Sequence, residues 1–217
     1  MKFHSLVAFL LTNALFLIGC SGGDRGSRQP SSQTQMTEDH SSHQKMTMDA
    51  TKPTDESIYN VTSTWKNRDG KTLNLAELRG KIQVVAMVYT HCEHACPRIL
   101  ADMKRIRDGL SRKALGETNF VLVSIDPQRD TPKRLSRFAD DNNLSETQWT
   151  LLNGARGDIL ELAALLGVRY KRISDTDFTH SNMISVLNKE GEIIHQRKKL
   201  EDQQSAVIAA IEQHTSN

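Results

Sequence analysis

The chain has 217 residues, of which 37% are hydrophobic, and three cysteines, Cys20, Cys92 and Cys96. That length suits one domain with appendages, and a net charge of +2 supplies no basic field of the kind that draws nucleic acid, so no nucleic-acid partner is expected. Residues 21–57 hold almost no aliphatic side chains, and most apolar residues beyond the N-terminus lie after Ile58. An odd cysteine count sets one thiol apart from the other two.

Residues 1–20 run from Lys2 through an apolar stretch, 6–18, to Gly19-Cys20. The stretch falls short of the roughly 20 residues of a membrane span and reads as an export signal. Its ending, Leu17-Ile18-Gly19-Cys20, resembles a bacterial lipobox, which implies cleavage before Cys20 and lipid on its thiol. An ordinary signal cut near Gly19 or Ser21 is the alternative. On the lipobox reading the protein is exported, anchored by lipid to a bacterial membrane, and faces the periplasm or extracytoplasmic space.

Residues 21–57, rich in Ser, Thr, Gln, Asp and Gly, bury too little apolar surface to offset their ordering entropy and read as a flexible tether. Within it stand Met36, His40, His43, Met46 and Met48. Thioethers and imidazoles suit Cu(I), so these five are candidate accessory copper ligands. A polar linker that happens to contain His and Met is the alternative.

The globular part, 58–217, opens with a hairpin signal, segments 60–65 and 71–73 around Asn67-Arg68-Asp69-Gly70. A helical turn over 75–79, closed by Gly80, follows. The run 82–89 is the strongest strand, apolar enough to be buried on both faces. Cys92 and Cys96 come next, then Pro97, with Ile99, Met103, Ile106 and Leu110 at helical spacing, which predicts a helix over 95–114. Residues 119–125 form a second buried strand, so this βαβ unit has parallel strands and a right-handed crossover.

Asp126-Pro127-x2-Asp130-Thr131-Pro132 reads as a strand exit and a helix cap, supplied by Thr131 or Asp130, with Pro132 at the first helical position. A strand over 149–152, a helix over 158–166 and an extended segment over 168–172 follow. A second hairpin, 181–187 and 192–195, flanks Asn188-Lys189-Glu190-Gly191, and a helix over 201–214 closes the chain. This order fits an α/β, thioredoxin-like fold with an N-terminal β-hairpin and an extra βα insertion. In that fold the strand leading to the cysteines pairs antiparallel with the first strand of the final hairpin. The topology therefore brings His180 towards Cys92 and Cys96 across more than eighty residues.

Two thiolates and a neutral imidazole can hold Cu(I) in a trigonal site, or Cu(II) with one more donor. Zinc also accepts such a set, but structural zinc takes four protein ligands. A redox-active Cys92–Cys96 disulfide is the rival. A structural disulfide across so short a turn constrains little chain entropy. The positive end of the following helix favours the thiolate form. His91 and His94 flank the thiols and read as residues that add local positive charge or face solvent, with transient ligation as the alternative. Asp175 and Asp177 are candidates to orient His180. His195 and His214 read as surface residues.

Three motifs carry a family resemblance. Tyr89-Thr90-His91-Cys92-x3-Cys96-Pro97, then Ser124-Ile125-Asp126-Pro127-x2-Asp130-Thr131-Pro132, then His180-Ser181 ahead of Lys189-Glu190-Gly191, resemble the Sco/SenC family in order and spacing. The likeness runs from about residue 58 to the last helix. It implies a copper site made by Cys92, Cys96 and His180. It also implies a role in delivering copper to, or reducing the thiols of, the binuclear copper centre of cytochrome c oxidase or another exported copper enzyme. The partners implied are that copper-accepting subunit and an upstream copper donor or thiol reductant. On this reading the protein binds and transfers rather than turns over substrate.

The alternative is a thiol–disulfide oxidoreductase using Cys92 and Cys96 as its catalytic pair. Dedicated thioredoxin-type enzymes place two residues between the cysteines and a proline before the final hairpin strand. Here three residues, Glu93-His94-Ala95, intervene, and His180 stands where the proline is expected. Thr90 beside Cys92 gives a peroxidase reading a slight foothold.

Overall fold

The computed structural model describes residues 54–174, 177–198 and 204–216. Among them the order is β1 (Thr64–Asn67), β2 (Thr72–Asn74), β3 (Ile82–Val88), α1 (Ala95–Gly109), α2 (Arg112–Gly116), β4 (Thr118–Ser124), α3 (Pro132–Asp141), β5 (Trp149–Gly154), α4 (Arg156–Leu165), β6 (Tyr170–Arg172), β7 (Phe178–His180), β8 (Ile184–Leu187), β9 (Ile193–Arg197) and α5 (Gln204–Ser216). No helix among these residues is long and apolar enough to cross a membrane. The N-terminal apolar run, Cys20 and the Met36–His40–His43–Met46–Met48 tract lie outside the described residues.

Every residue of β3 is buried, as its run Ile82-Gln83-Val84-Val85-Ala86-Met87-Val88, apolar but for Gln83, predicts for a strand covered on both faces. It lies inside a seven-stranded sheet of order β2-β1-β5-β4-β3-β8-β9. β3 runs parallel to β4 and antiparallel to β8. The strands β4-β3-β8-β9, with α1 as crossover and α5 after the last strand, form the thioredoxin-like unit. β5 and α4 are the insertion, and the β1–β2 hairpin extends the sheet by pairing antiparallel with β5.

Trp65 and Trp149 anchor that extension, both essentially without solvent contact. Trp65 sits opposite Gly154 in the β1–β5 pairing. A Cβ on Gly154 would lie 2.7 Å from the indole, so only glycine lets the ring close on the strand. Gln83, polar and buried, is satisfied by donating to the carbonyls of Leu78 and Lys81 and accepting from Asn119. On the other side of the domain, Asp102 of α1 receives Arg197 of β9 at 2.6 Å and Gln204 of α5 at 2.8 Å. That buried carboxylate joins three elements at one point.

Local chemistry moves several boundaries. Residues 58–60 form a 3-10 turn rather than strand, because the Ser57 hydroxyl accepts from the Tyr59 N–H; the hairpin strands therefore start later, at Thr64. The predicted 95–114 helix divides at Leu110, where Ser111 accepts from the Ala114 N–H and starts α2. Ser111 also donates through its N–H and hydroxyl to Glu212 of α5. Ser111→Ala is expected to cost about 1–2 kcal/mol through the lost cap, read as a lower urea midpoint with an unchanged m-value; a change within error would mean that Glu212 and water replace the cap fully. The 168–172 segment pairs, as β6, with β7 in a two-stranded ribbon separate from the main sheet. The strand expected from residue 181 begins at Ile184, so His180 ends the ribbon instead of leading directly into β8.

Candidate metal centre

β3 ends at Val88, and Tyr89-Thr90-His91-Cys92 turns across the top of the sheet, with the Cys92 N–H donating to the Tyr89 carbonyl at 3.2 Å. α1 begins at Ala95, so Cys96 lies in its first turn and Pro97 beside it loses no intrahelical hydrogen bond. His94 precedes the helix without capping it through its side chain. The Cys96 N–H donates instead to the Cys92 sulfur at 3.3 Å, so a thiol takes the capping place at the positive end of the helix.

His180 closes β7, where it pairs with Tyr170. Its Nε2 lies 3.6 Å from Cys96 Sγ. Its Nδ1 lies 3.2 Å from the Ser181 carbonyl. A carbonyl only accepts, so Nδ1 carries the proton and Nε2 keeps its lone pair facing the thiols. The donor atoms of Cys92, Cys96 and His180 all fall within 4.8 Å of one another, the one such group of metal-capable Cys, His, Asp and Glu side chains among the described residues. Metal–sulfur and metal–nitrogen bonds of roughly 2.0–2.3 Å put three planar donors about 3.5–4 Å apart, so a small contraction seats an ion between them. Two soft sulfurs and one imidazole fit copper better than a hard cation.

The two thiols are unequal. Cys92 is half-buried and Cys96 is 2% exposed. The Cys96 thiol donates to Cys92, and the backbone N–H groups of Cys96 and His94 add to it, so the Cys92 thiol is drawn down to about 4 against the opposing cost of burial. The same contact and deeper burial push Cys96 far above the ordinary thiol range. Tyr89, pressed beside them, is raised by burial and by the Asp177 carboxylate.

Cys92 and His180 line an open cleft of about 590 Å3, whose rim includes His91 and His94. A larger cleft of about 690 Å3 lies behind Phe178, between Ile125, Leu160 and Tyr170; it holds no thiol and no imidazole and is set apart from the chemistry. His91 and His94 are exposed, and His91 turns its Nδ1 to the Thr90 hydroxyl at 3.3 Å and towards Asp130 at 3.7 Å. Asp177 does not orient His180 directly: it bonds the Tyr89 hydroxyl and the Phe178 N–H. Asp175 lies outside the described residues. His214 meets the Ala210 carbonyl of its own helix, and His195 sits on β9.

Two features escape a reading of the sequence. Thr131 alone caps α3, accepting from the Arg134 N–H, which leaves Asp130 free for another task. Fully buried, Asp130 accepts from the Thr90 N–H at 3.0 Å, the Thr90 hydroxyl at 2.6 Å and the Ser124 hydroxyl at 2.7 Å. Arg134 then donates to the Thr90 hydroxyl and carbonyl. The signal was an acidic residue beside a cap that needed none. The second feature is Tyr89, whose hydroxyl reaches Asp177 at the start of β7.

Comparison with known proteins agrees with this architecture. The SCO1/SenC family model matches residues 51–216. A curated relative, the SCO1 protein homolog of Bacillus subtilis, is 27% identical over 134 residues, 60% of this chain and 69% of the relative. The structure of Bradyrhizobium japonicum ScoI with copper bound superposes with a TM-score of 0.59 at 20% identity, covering 70% of this chain and 96% of that one. BsSco, described with a disulfide switch and as a member of the Sco family of cytochrome c oxidase assembly proteins, superposes at 0.62 with 24% identity, covering 70% and 91%. With the family model matching most of its length and the fold shared, this chain belongs to the SCO1/SenC family.

Proposed function

We propose that the protein carries copper on Cys92, Cys96 and His180 and delivers it to the copper-accepting subunit of cytochrome c oxidase or another exported copper enzyme. The observation that supports this most is the convergence of two sulfurs and one Nε2 within 4.8 Å, with the Nδ1 of that imidazole already committed to a carbonyl. The copper-bound ScoI relative and the printed role of BsSco point the same way. Copper is the cargo. Cys96 holds it from the buried side, and half-exposed Cys92 and His180 line the open cleft through which an acceptor sulfur or imidazole reaches it. Transfer then proceeds by ligand exchange: a bond to the acceptor forms as a bond to Cys92 breaks, and the ion is never released to water.

On this reading Cys20 bears the lipid anchor, the part of the tether before Thr54 gives the domain its reach, since Thr54 and Ser57 bond Glu192 and the Glu190 carbonyl of the domain, and Met36, His40, His43, Met46 and Met48 gather or pass the ion. An upstream copper donor or thiol reductant supplies the reduced, loadable state.

A Cu(I) competition titration of the reduced chain against a chelator tests this. Tight binding of a single ion is expected. Cys92→Ser, Cys96→Ser and His180→Ala are each expected to weaken it by more than the roughly 10–100-fold that loss of an outer-shell partner costs. Deleting residues 21–53 is expected to leave this tight site intact. Binding that survives all three substitutions would mean the tether, not the domain, holds the ion.

A second reading has its own support. A half-exposed thiol with a depressed pKa beside a buried one with a raised pKa is the division between attacking and resolving cysteine in thiol–disulfide exchange. His180→Ala separates the two: as a copper ligand it is expected to change Cu(I) affinity far more than the Cys92–Cys96 midpoint potential. Equal loss of both, with the fold intact, would count against ligation by His180.

A further inference from the structure

We propose that Tyr89 is a positioning residue of the copper centre: its hydroxyl, bonded to Asp177, latches the ribbon that carries His180 against the loop that carries the cysteines. The inference rests on the copper reading above and extends it to residues that touch no metal.

The ribbon β6–β7 shares no ladder with the main sheet. Its internal bonds, with Ser181 N–H donating to the Arg169 carbonyl and Arg169 N–H to the Ser181 hydroxyl, close the ribbon on itself and do not fix it to the thiol loop. The Arg172–Asp126 pair, at 3.5 Å, ties the Phe178 end of the ribbon to the exit of β4 and not to the thiol loop. Between ribbon and thiol loop the contacts converge on one side chain, Tyr89, which spans the ribbon from His180 to Asp177 at its Arg172 end. The Tyr89 ring lies 5.2 Å from Phe178 and meets His180 edge-on at 5.9 Å. Its hydroxyl donates to Asp177 Oδ1, which also accepts from the Phe178 N–H. Tyr89 is itself 3% exposed and stands three residues before Cys92.

Imidazole and thiols therefore come from separately supported pieces of backbone. Holding them near the bound geometry beforehand lowers the ordering cost of binding. Tyr89→Phe keeps the ring and removes the latch. Asp177 is exposed, so water solvates its carboxylate once Tyr89 is gone, and the fold is expected to persist. The Tyr89 hydroxyl also approaches Cys92. Asp177→Ala separates the two actions, since it removes the principal acceptor of the latch, leaving only the Phe178 carbonyl at 3.4 Å, and keeps Tyr89 beside the thiol.

The test is hydrogen exchange of the Thr179 and His180 amides in the reduced, metal-free full chain, with Cu(I) competition titration of the same proteins. Tyr89→Phe, Asp177→Ala and the double variant are each expected to speed exchange about threefold to tenfold and to weaken Cu(I) binding by a similar factor. The double variant is expected to be no worse than either single one. Unchanged exchange in both single variants would overturn the latch. Weaker copper binding in Tyr89→Phe but not in an Asp177→Ala variant whose exchange is faster would overturn it too, by assigning the effect to Cys92. Faster exchange in a protein whose wild type binds no Cu(I) would remove the copper reading and the positioning role with it, while the exchange data would identify which had failed.

Discussion

At about pH 6 in reducing buffer, iodoacetamide is expected to alkylate Cys92 and to leave Cys96 unmodified, by a margin of at least about a thousandfold in rate. Only the thiolate reacts. With its thiol drawn down to about 4, Cys92 is almost wholly thiolate there, whereas an unperturbed cysteine is thiolate to well under about 1%. A low-pKa thiolate is also a weaker nucleophile, with a Brønsted slope of about 0.4–0.5. That slope removes about a hundredfold over the shift, so Cys92 is expected to outpace an ordinary thiol only modestly. The selectivity within the pair comes from Cys96, which is raised in pKa by Cys92 and by burial and is 2% exposed.

The pH profile is the sharper measure. Labelling of Cys92 is expected to be flat between about pH 5 and 8 and to fall only near 4, where an ordinary thiol would gain tenfold per pH unit. Removing the Cys96 thiol takes away the first cause of the depression, so in Cys96→Ala the plateau is expected to give way to a rate that rises through neutral pH. The sign for stability follows from linkage. A thiol depressed in the folded state binds fewer protons folded than unfolded, so stability rises with pH between the folded and unfolded values. The reduced, metal-free domain is expected to gain stability from about pH 5 to 8, with less gain in Cys92→Ser. Cys96, raised instead, reverses the slope only above the unfolded thiol range. A tenfold-per-unit rise in wild-type labelling through pH 6–8 would refute the asymmetry.

How far such chemistry is visible in a sequence depends on whether its causes are local. The run ending at Tyr89 is buried on both faces, so it reads as a central strand without any partner being known. The thiols, Pro97 and the helical period after them are contiguous, and the start of α1 follows from them. His180 was brought near the thiols by topology alone, since β3 and β8 pair antiparallel as the thioredoxin-like order requires. The ribbon was not legible: β6 and β7 are three residues each, and Phe178 is their one buried side chain, so no alternation shows. The break at Leu110 was hidden because apolar spacing runs on to Ala114 while Ser111 resets the helix. Tyr89 looks like the last apolar residue of a strand, because the partner of its hydroxyl is 88 residues away. Asp130 reads as a helix cap until the cap is found in Thr131.

Asp130→Ala is expected to destabilise the domain by about 3–5 kcal/mol, because three donors lose a buried acceptor at once and each is worth roughly 1–3 kcal/mol when left unpaired. Water offsets part of that sum. The Ser124 hydroxyl keeps one role, accepting from the Asp126 N–H, while the Thr90 N–H has only the carboxylate. Against a total stability of about 5–15 kcal/mol, the loss is visible as a large fall in urea midpoint. Asp130→Asn keeps the volume and one acceptor oxygen but turns an N–H2 towards donors, so it is expected to cost about half as much and to stay folded. That variant carries the functional test. Thr90 stands two residues before Cys92, and its backbone is held from one side by Asp130 and from the other by Arg134. With the carboxylate gone the thiol loop loses its fixed height above the sheet, and Cu(I) affinity in Asp130→Asn is expected to fall roughly 10–100-fold, the range for groups that orient ligands without touching metal. A folded Asp130→Asn with undiminished Cu(I) affinity would mean that the helix cap formed by Cys92 on α1 holds the loop unaided, and that Asp130 serves the fold alone.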